Sequence, residues 1–245
     1  MTGPPVSAAS RRPPFGPPLV FVATLDRPAL NDADAHHLGR VLRLRAGDVL
    51  TAADGAGRWR ECTYRATAQL EISGEVFEEP MPEPPITIAF ALTKADKPEL
   101  VVQKLTELGV DRVVAFRAAR SIVLWDEAKA ARNVERWRSV AREAAMQSRR
   151  SRLPIIEPIS TFAEVAGRPG AALSVAGGAP PGLHLPTVLV GPEGGWSPEE
   201  DATPMPRVAF GDHVLRAETA AITACSVVAA IRSRLAGDLS HPDAS

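Results

Sequence analysis

Residues 78–85 read Glu-Glu-Pro-Met-Pro-Glu-Pro-Pro, and no other stretch restricts the folding of this chain as much. Its prolines remove backbone donors and fix φ, so it can neither continue a helix nor lie inside a sheet. A stiff linker over residues 79–85 is therefore predicted, dividing the chain into two parts that fold around separate cores. The chain of 245 residues is long enough for both.

The part before the linker, residues 19–78, reads as mostly β. Apolar or alternating runs cover Leu19–Ala23, Val49–Ala53, Arg58–Thr67 and Gln69–Val76, with Asp54-Gly55 as a hairpin turn. One short helix is expected over Asp32–Arg40, capped by Asn31 or Asp32. Strands this short pack most naturally as a small barrel or curled sheet.

After the linker, residues 86–236 alternate strands with helices. Strands are predicted at Ile86–Leu92, Arg112–Phe116, Pro154–Ile159, Ala171–Val175, Thr187–Gly191 and Arg207–Phe210. Helices are predicted from Asp96-Lys97-Pro98-Glu99 to Gly109, over Asp126–Ser148, over Thr161–Ala166 and over Glu218–Leu235. This pattern is an α/β domain with a mainly parallel sheet. Residues 1–18 and 237–245 read as loosely held ends.

Four segments carry chemistry. In Val188–Ser197 an apolar strand runs into Gly191-Pro192-Glu193-Gly194-Gly195, and Ser197-Pro198-Glu199-Glu200 then opens a helix with a capping box. Glycines at a strand end let a ligand approach the backbone, and ligands in α/β sheets sit at that end. A plain tight turn also carries glycines, but this loop is long and holds a carboxylate. It lacks the lysine and spacing of a phosphate-binding P-loop. In Phe210–Ala220 a second strand ends in Gly211, and Arg216 and Glu218 lead into an apolar helix.

Between Lys129 and Arg152 lie eight basic and two acidic residues, a patch able to face a phosphate backbone. Only four of the chain's 28 basic residues are lysines, so an arginine-rich coding bias accounts for much of this. In His36–Arg45 three arginines alternate with apolar residues, which fits either an RNA-gripping edge or a half-buried strand. The net charge of -1 does not by itself announce a nucleic-acid partner. His36 and His37 are adjacent and point different ways, so no metal is expected. The two cysteines, Cys62 and Cys225, are far apart and are expected to stay reduced. The first eighteen residues lack the apolar core of a signal peptide, and the apolar stretch Ala220–Ile231 is too short to span a bilayer. A cytoplasmic protein without a membrane is the expectation.

Taken in order, these segments resemble the RsmE family of 16S ribosomal RNA uridine-N3 methyltransferases, within the SPOUT superfamily. The resemblance rests on His36-His37-Leu38 with Arg40-Val41-Leu42-Arg43 and Gly47-Asp48; on Gln103-Lys104 with Glu107–Val110; on Glu143, Gln147-Ser148 and Arg149; on Gly191–Gly195; and on Gly211, Leu215-Arg216 and Glu218-Thr219-Ala220. Together they cover roughly residues 19 to 235. The resemblance implies a PUA-like RNA-binding β-barrel over 19–78, a trefoil-knot methyltransferase domain over 86–236, a homodimer, and 16S ribosomal RNA or the small ribosomal subunit as partner. S-adenosylmethionine would be held by Leu189, Gly191, Pro192, Glu193, Gly194, Gly195, Phe210, Gly211, Val214, Leu215 and Thr219. Departures from the family lie in Arg117–Ser121, in Phe210, and in the short stretch with Pro204 and Pro206, which curtails the helix after the glycine loop.

Uridine N3 carries a proton, so its methylation needs a base or a cation that stabilises the uracil anion. Glu193 or Glu218 fits the first role, and Arg149 or Arg216 the second. His37, Arg40, Arg43, Arg149, Arg150 and Arg152 are the candidates for contact with RNA. Three rival readings remain: a knot-fold methyltransferase for another RNA, a catalytically inactive RNA-binding protein, and a nicotinamide-dependent oxidoreductase. The last lacks its glycine fingerprint, because Leu92–Asp96 contains no glycine.

Overall fold

The computed structural model describes residues 11–66, 68–92, 97–121, 123 and 125–236. Its contacts divide the chain into two units, Met1–Met81 with Arg142–Leu153, and Pro82–Ala141 with Pro154–Ser245.

The N-terminal unit contains β1 (Leu19–Phe21), α1 (Asp32–His36), β2 (Val49–Ala53), β3 (Arg58–Thr63) and β4 (Glu71–Glu78). The sheet order is β1-β2-β3-β4, parallel between β1 and β2 and antiparallel elsewhere. No β4–β1 pairing closes it among the described residues. Alternation sends side chains to both faces. Val20, Leu50, Ala52 and Cys62 fill one core, and Leu19, Phe21, Ala53 and Trp59 fill the other. Burial pushes the Cys62 thiol up to about 11. The β2–β3 turn is held by Asp54 Oδ1, which accepts from Ala56 N at 2.8 Å and Arg58 N at 3.1 Å.

Asn31 caps α1, its Oδ1 accepting from Asp34 N at 2.7 Å. The chain then continues as one π-helical turn, His37–Val41, with Leu42 N donating to His37 O. The arginines of His36–Arg45 thus do not lie on a strand. Arg40 is exposed on the helical turn, and Arg43 leaves it in the left-handed region at φ 55°.

Residues 142–153 join this unit through the Arg142–Asp34 pair. Nη2 meets Oδ2 at 2.6 Å and Nη1 meets Oδ1 at 3.0 Å, with Asp34 buried. This is the bidentate fork that arginine geometry favours. Nη2 also donates to Phe21 O at 3.2 Å.

The C-terminal unit contains β5 (Thr87–Ala91), α2 (Lys97–Glu107), β6 (Arg112–Arg117), α3 (Glu127–Gln147, to Ala141 in this unit), β7 (Ile155–Ile156), β8 (Ser160–Thr161), α4 (Phe162–Ala166), β9 (Ala171–Ala179), β10 (Thr187–Val190), α5 (Pro198–Asp201), β11 (Arg207–Val208) and α6 (Ala217–Arg232). Its sheet is parallel throughout, in the order β11-β9-β10-β5-β6-β7, with β8 also beside β6. A parallel sheet needs cover on both faces. Ile88, Phe90, Val188 and Val190 pack with residues of α2, α3 and α6, while Ala89, Ala91, Phe116 and Leu189 pack with α4 and Trp196. Every residue of β5 and β10 is accordingly buried.

Several boundaries differ from expectation. Pro158 interrupts the predicted Pro154–Ile159 strand, leaving the short β7 and β8. β9 runs past Val175 to Ala179, and a Cβ on Gly178 would meet the Val208 backbone at 2.7 Å, so glycine lets β11 approach. Helix α5 is a single turn, as the short proline-bearing segment predicts. Asp96, the predicted cap of α2, lies outside the described residues. The end of α6 is fixed by Arg232, which pairs with buried Asp111 and donates to Pro84 O at 3.1 Å and Gly109 O at 2.9 Å.

Candidate functional site

The sheet sets β9 and β10 in parallel, with Val190 at the carboxyl end of β10 level with Ser174 in the middle of β9. From β10 the chain enters Gly191–Ser197. Gly195 N donates to Pro192 O at 2.9 Å, closing a turn with Gly195 at φ 71°, a conformation suited to glycine. Trp196 folds back beneath the loop. Its ring lies 6.2 Å from Phe116 and 5.7 Å from Phe162, and its Nε1 donates to Ser174 O at 3.4 Å. A Cβ on Gly191 would meet Trp196 Cε2 at 2.9 Å, so the indole fits only because residue 191 has no side chain.

The loop is braced from its other end as well. Ser197 caps α5, and Glu200 closes the capping box by accepting from Ser197 N at 2.9 Å. The other oxygen of the buried Glu200 carboxylate accepts from Ala119 N at 2.7 Å, and Arg120 Nη1 donates to Gly194 O at 3.0 Å. Both tie the glycine loop to the segment after β6.

The second loop, residues 209–216, starts where Ala209 N donates to Ala179 O at 3.0 Å. The two loops converge on one cleft of about 300 Å³, walled also by the middle of β9 and the start of α6. Of the predicted cofactor residues, Gly191, Pro192, Glu193, Gly195, Phe210, Gly211, Val214 and Leu215 line it. Leu189, Gly194 and Thr219 do not: Leu189 is buried among Ala89, Phe116 and Leu173, Gly194 lies against Arg120, and Thr219 is exposed. Ser174, Val175, Ala176, Val190, Trp196, His213, Ala217 and Ala220 complete the walls without having been expected. Val214 is 92% exposed, an apolar side chain left uncovered beside a cleft.

At the edge of this cleft Lys97 Nζ hydrogen-bonds Glu193 Oε1 and lies 3.5 Å from Glu218 Oε1. The Glu193 hydrogen bond is the main reason the ammonium sits above its ordinary pKa. Glu218 Oε2 is buried without a hydrogen-bond partner. Two of the four catalytic candidates, Glu193 and Glu218, are therefore brought together, by a lysine that sequence reasoning left out. Arg216 does not pair with Glu218; it is exposed at the start of α6. Arg149, the fourth, belongs to the N-terminal unit.

The RNA candidates all lie in that unit. His37, Arg40 and Arg43 are exposed. Arg149 and Arg150 are half-buried. Arg152 is engaged within the fold, donating from Nη2 to Glu79 O at 2.9 Å across the space that Gly57 leaves open. Much of the basic stretch is likewise paired: Arg136 with Glu99, Arg138 with Glu135, Arg142 with Asp34. Among the described residues no group of three or more His, Cys, Asp or Glu side chains is placed to hold a metal, and no helix is long and apolar enough to cross a membrane.

The chain combines a doubly covered parallel sheet carrying a loop-walled cleft with a separate small β unit, and it is an α/β RNA methyltransferase by its family match. The family model for an RNA methyltransferase domain matches residues 80–229, and that for an RNA methyltransferase PUA domain matches residues 30–72. The chain belongs to the ribosomal RNA small subunit methyltransferase E family. It is 34% identical over 231 residues to ribosomal RNA small subunit methyltransferase E of Mycobacterium tuberculosis (strain CDC 1551 / Oshkosh), covering 84% of this chain and 87% of that protein. The Bacillus subtilis (strain 168) protein of the same name is 30% identical over 240 residues, covering 86% and 92%. Among solved structures, ribosomal RNA small subunit methyltransferase E from Neisseria gonorrhoeae bound to S-adenosyl methionine is similar with a TM-score of 0.76 and 25% identity, covering 89% of this chain and 98% of that one. A methyltransferase from Legionella pneumophila in complex with the same cofactor is similar with a TM-score of 0.72 and 26% identity, covering 86% and 96%.

Proposed function

We propose that this chain is an S-adenosylmethionine-dependent methyltransferase that modifies N3 of a uridine in 16S ribosomal RNA. The observation that carries the reading is the convergence of Gly191–Trp196 and Phe210–Leu215 on one cleft. The cofactor fits these residues: the loops offer backbone donors and acceptors at glycines, Phe210, Val214 and Leu215 offer apolar cover, and close by at the start of α6 a buried Glu218 oxygen lacks a donor. When bound, it supplies an electrophilic methyl group on a sulfonium sulfur.

The chain's own residues supply position and proton transfer. Attack by N3 needs an aligned approach, which the braced glycine loop helps to fix. The N3 proton goes to a carboxylate, and Glu218 is the better placed of the two candidates. Its Oε2 has no partner, whereas Glu193 is held in a hydrogen bond by Lys97. Exposed Arg40 and Arg43 contact RNA phosphates, so affinity for RNA falls as salt is added. The homodimer implied by the family resemblance is part of this proposal, and sedimentation at twice the 26.0 kDa chain mass checks it.

Nucleoside mass spectrometry of 16S ribosomal RNA from a strain lacking this protein tests the reading. The expected result is loss of one N3-methyluridine, restored by the parent chain and not by Glu218→Ala. Calorimetry tests the cofactor: no heat of S-adenosylmethionine binding would leave an RNA-binding protein without turnover. An unchanged 16S modification pattern with a change in another RNA would move the substrate to that RNA.

A further inference from the structure

A second cavity, of about 790 Å³, lies wholly within the N-terminal unit, between β1, α1, the π-helical turn and residues 142–149. Its volume is that of a small-ligand site, within the ~300–1,000 Å³ usual for one. The buried Asp34–Arg142 pair satisfies its own charges there, so the remaining groups must account for what the cavity takes.

Arg149 is the most informative of them. It follows the end of α3 in the left-handed region, φ 61°, where helices ordinarily place glycine. A residue with a Cβ costs about 1 kcal/mol more there. Nη1 donates to Met146 O at 2.7 Å, but Nε is buried and makes no hydrogen bond. A strained non-glycine backbone and an orphaned buried donor on the same residue, at the wall of a cavity, together mark a binding site.

The other walls specify the ligand. Val41 is 61% exposed and Leu42 45%, giving apolar surface with nothing covering it. Gln147 carries both donors and an acceptor, and Glu143 carries acceptors only. A carboxylate on the wall is wrong for a phosphate and right for a ring bearing N–H groups. Outside lie exposed Arg40 and Arg43, which suit an anionic chain leading to that ring. Flat apolar faces, hydrogen-bonding edges and an attached polyanion describe one ligand, an unstacked base of single-stranded RNA. We propose that this cavity receives such a base from the RNA that the protein binds, with Arg149, Gln147 and Glu143 reading its edges and Val41 and Leu42 covering its faces.

The inference rests on the reading of the chain as an RNA methyltransferase, and its test separates the two. The full chain is mixed with a single-stranded oligoribonucleotide carrying one 4-thiouridine, irradiated, and digested for mass spectrometry. Cross-links are expected within residues 31–43 or 142–152; cross-links confined to other peptides overturn the proposal. Gln147→Trp, from an exposed position on the wall, fills the cavity, and Ala33→Trp on α1 does so independently. Each is expected to weaken oligoribonucleotide binding about ten-fold or more. S-adenosylmethionine affinity and thermal unfolding should match the parent, and so should the salt dependence, because the phosphate contacts are kept. Parental oligoribonucleotide affinity in both variants refutes the site. So does intact oligoribonucleotide binding with weakened binding to the small ribosomal subunit, which would give the cavity to a protein partner. Loss of cofactor binding in the parent itself would count against the methyltransferase reading and not against this cavity.

Discussion

Gly191→Ala tests whether the packing beneath the glycine loop shapes the cofactor cleft. The added Cβ would stand 2.9 Å from Trp196 Cε2, 3.1 Å from Cζ2 and 3.2 Å from Cδ2. Carbon pairs rest at about 3.5–4.0 Å, so the indole must retreat by roughly 0.5–1 Å. Phe116 and Phe162 stand behind it, and the Nε1 bond to Ser174 O is already 3.4 Å long. Overpacking of this kind costs about 1–3 kcal/mol. If the cost falls on holding the loop in its binding shape, affinity for S-adenosylmethionine drops about 5- to 150-fold. Titration calorimetry reads the affinity, and thermal denaturation followed by circular dichroism reads the fold. Gly47→Ala is the control: its residue has φ 102° and no atom within 4 Å of the added Cβ, and it lies in the other unit. It should lower stability and leave cofactor affinity unchanged. A Gly191→Ala chain that binds cofactor as tightly as the parent would falsify the claim that Trp196 and Gly191 set the cleft.

Three further outcomes are expected. Asp34→Asn leaves Arg142 without its counter-charge and should cost the N-terminal unit about 3 kcal/mol, the low end for a broken buried pair because Arg142 keeps its bond to Phe21 O; Asp34→Leu with Arg142→Met should recover most of this in urea denaturation, and equal losses in both would refute the account. Arg168, with Arg112, holds the Glu157 carboxyl below its usual range. Its contribution to stability is therefore present above the unfolded carboxylate pKa of ~4.3 and lost as pH falls through the depressed folded value; Glu157→Gln should flatten that acid limb of stability against pH, and an unaltered limb would sink the assignment. Arg152→Ala should lower stability by about 1–2 kcal/mol through the lost bond to Glu79 O while leaving the salt dependence of RNA binding unchanged, and a shallower salt slope would return Arg152 to the RNA surface.

The parts of the site legible in the sequence were those whose causes are local. Gly191–Gly195 followed by Ser-Pro-Glu-Glu contains its own turn, cap and capping box, so strand, loop and helix start could be placed from neighbours a few residues apart. The walls from Ser174–Ala176 could not, because only the sheet order sets β9 beside β10. The pair Gly177-Gly178 was the available signal, marking a strand that lets a backbone come close. Lys97 gave none: it meets Glu193 across 96 positions of sequence, and a lysine near a helix start reads as solvent-facing. Leu189 shows the converse. Its place in the motif put it beside the cofactor, yet strand alternation turns it to the face with Ala89 and Phe116 while Val190 lines the cleft.

The arginines show why a count of charge is a poor guide to an RNA surface. Arg60 spends its guanidinium on Gly74 O and Leu25 O, Arg232 on Asp111, Pro84 O and Gly109 O, and Arg142 on Asp34 and Phe21 O. A planar fork of five donors suits this use, since one side chain satisfies several buried acceptors in a fixed geometry. A chain that has 24 arginines and only four lysines therefore places many of them in its framework. What distinguishes a ligand-facing arginine is then a donor left over, or a backbone geometry that a smaller residue would adopt more readily. Of the eight basic residues from Lys129 to Arg152, which the sequence alone presents as equals, Arg149 joins both marks, whereas Arg152 has a buried unpartnered Nε without the left-handed backbone.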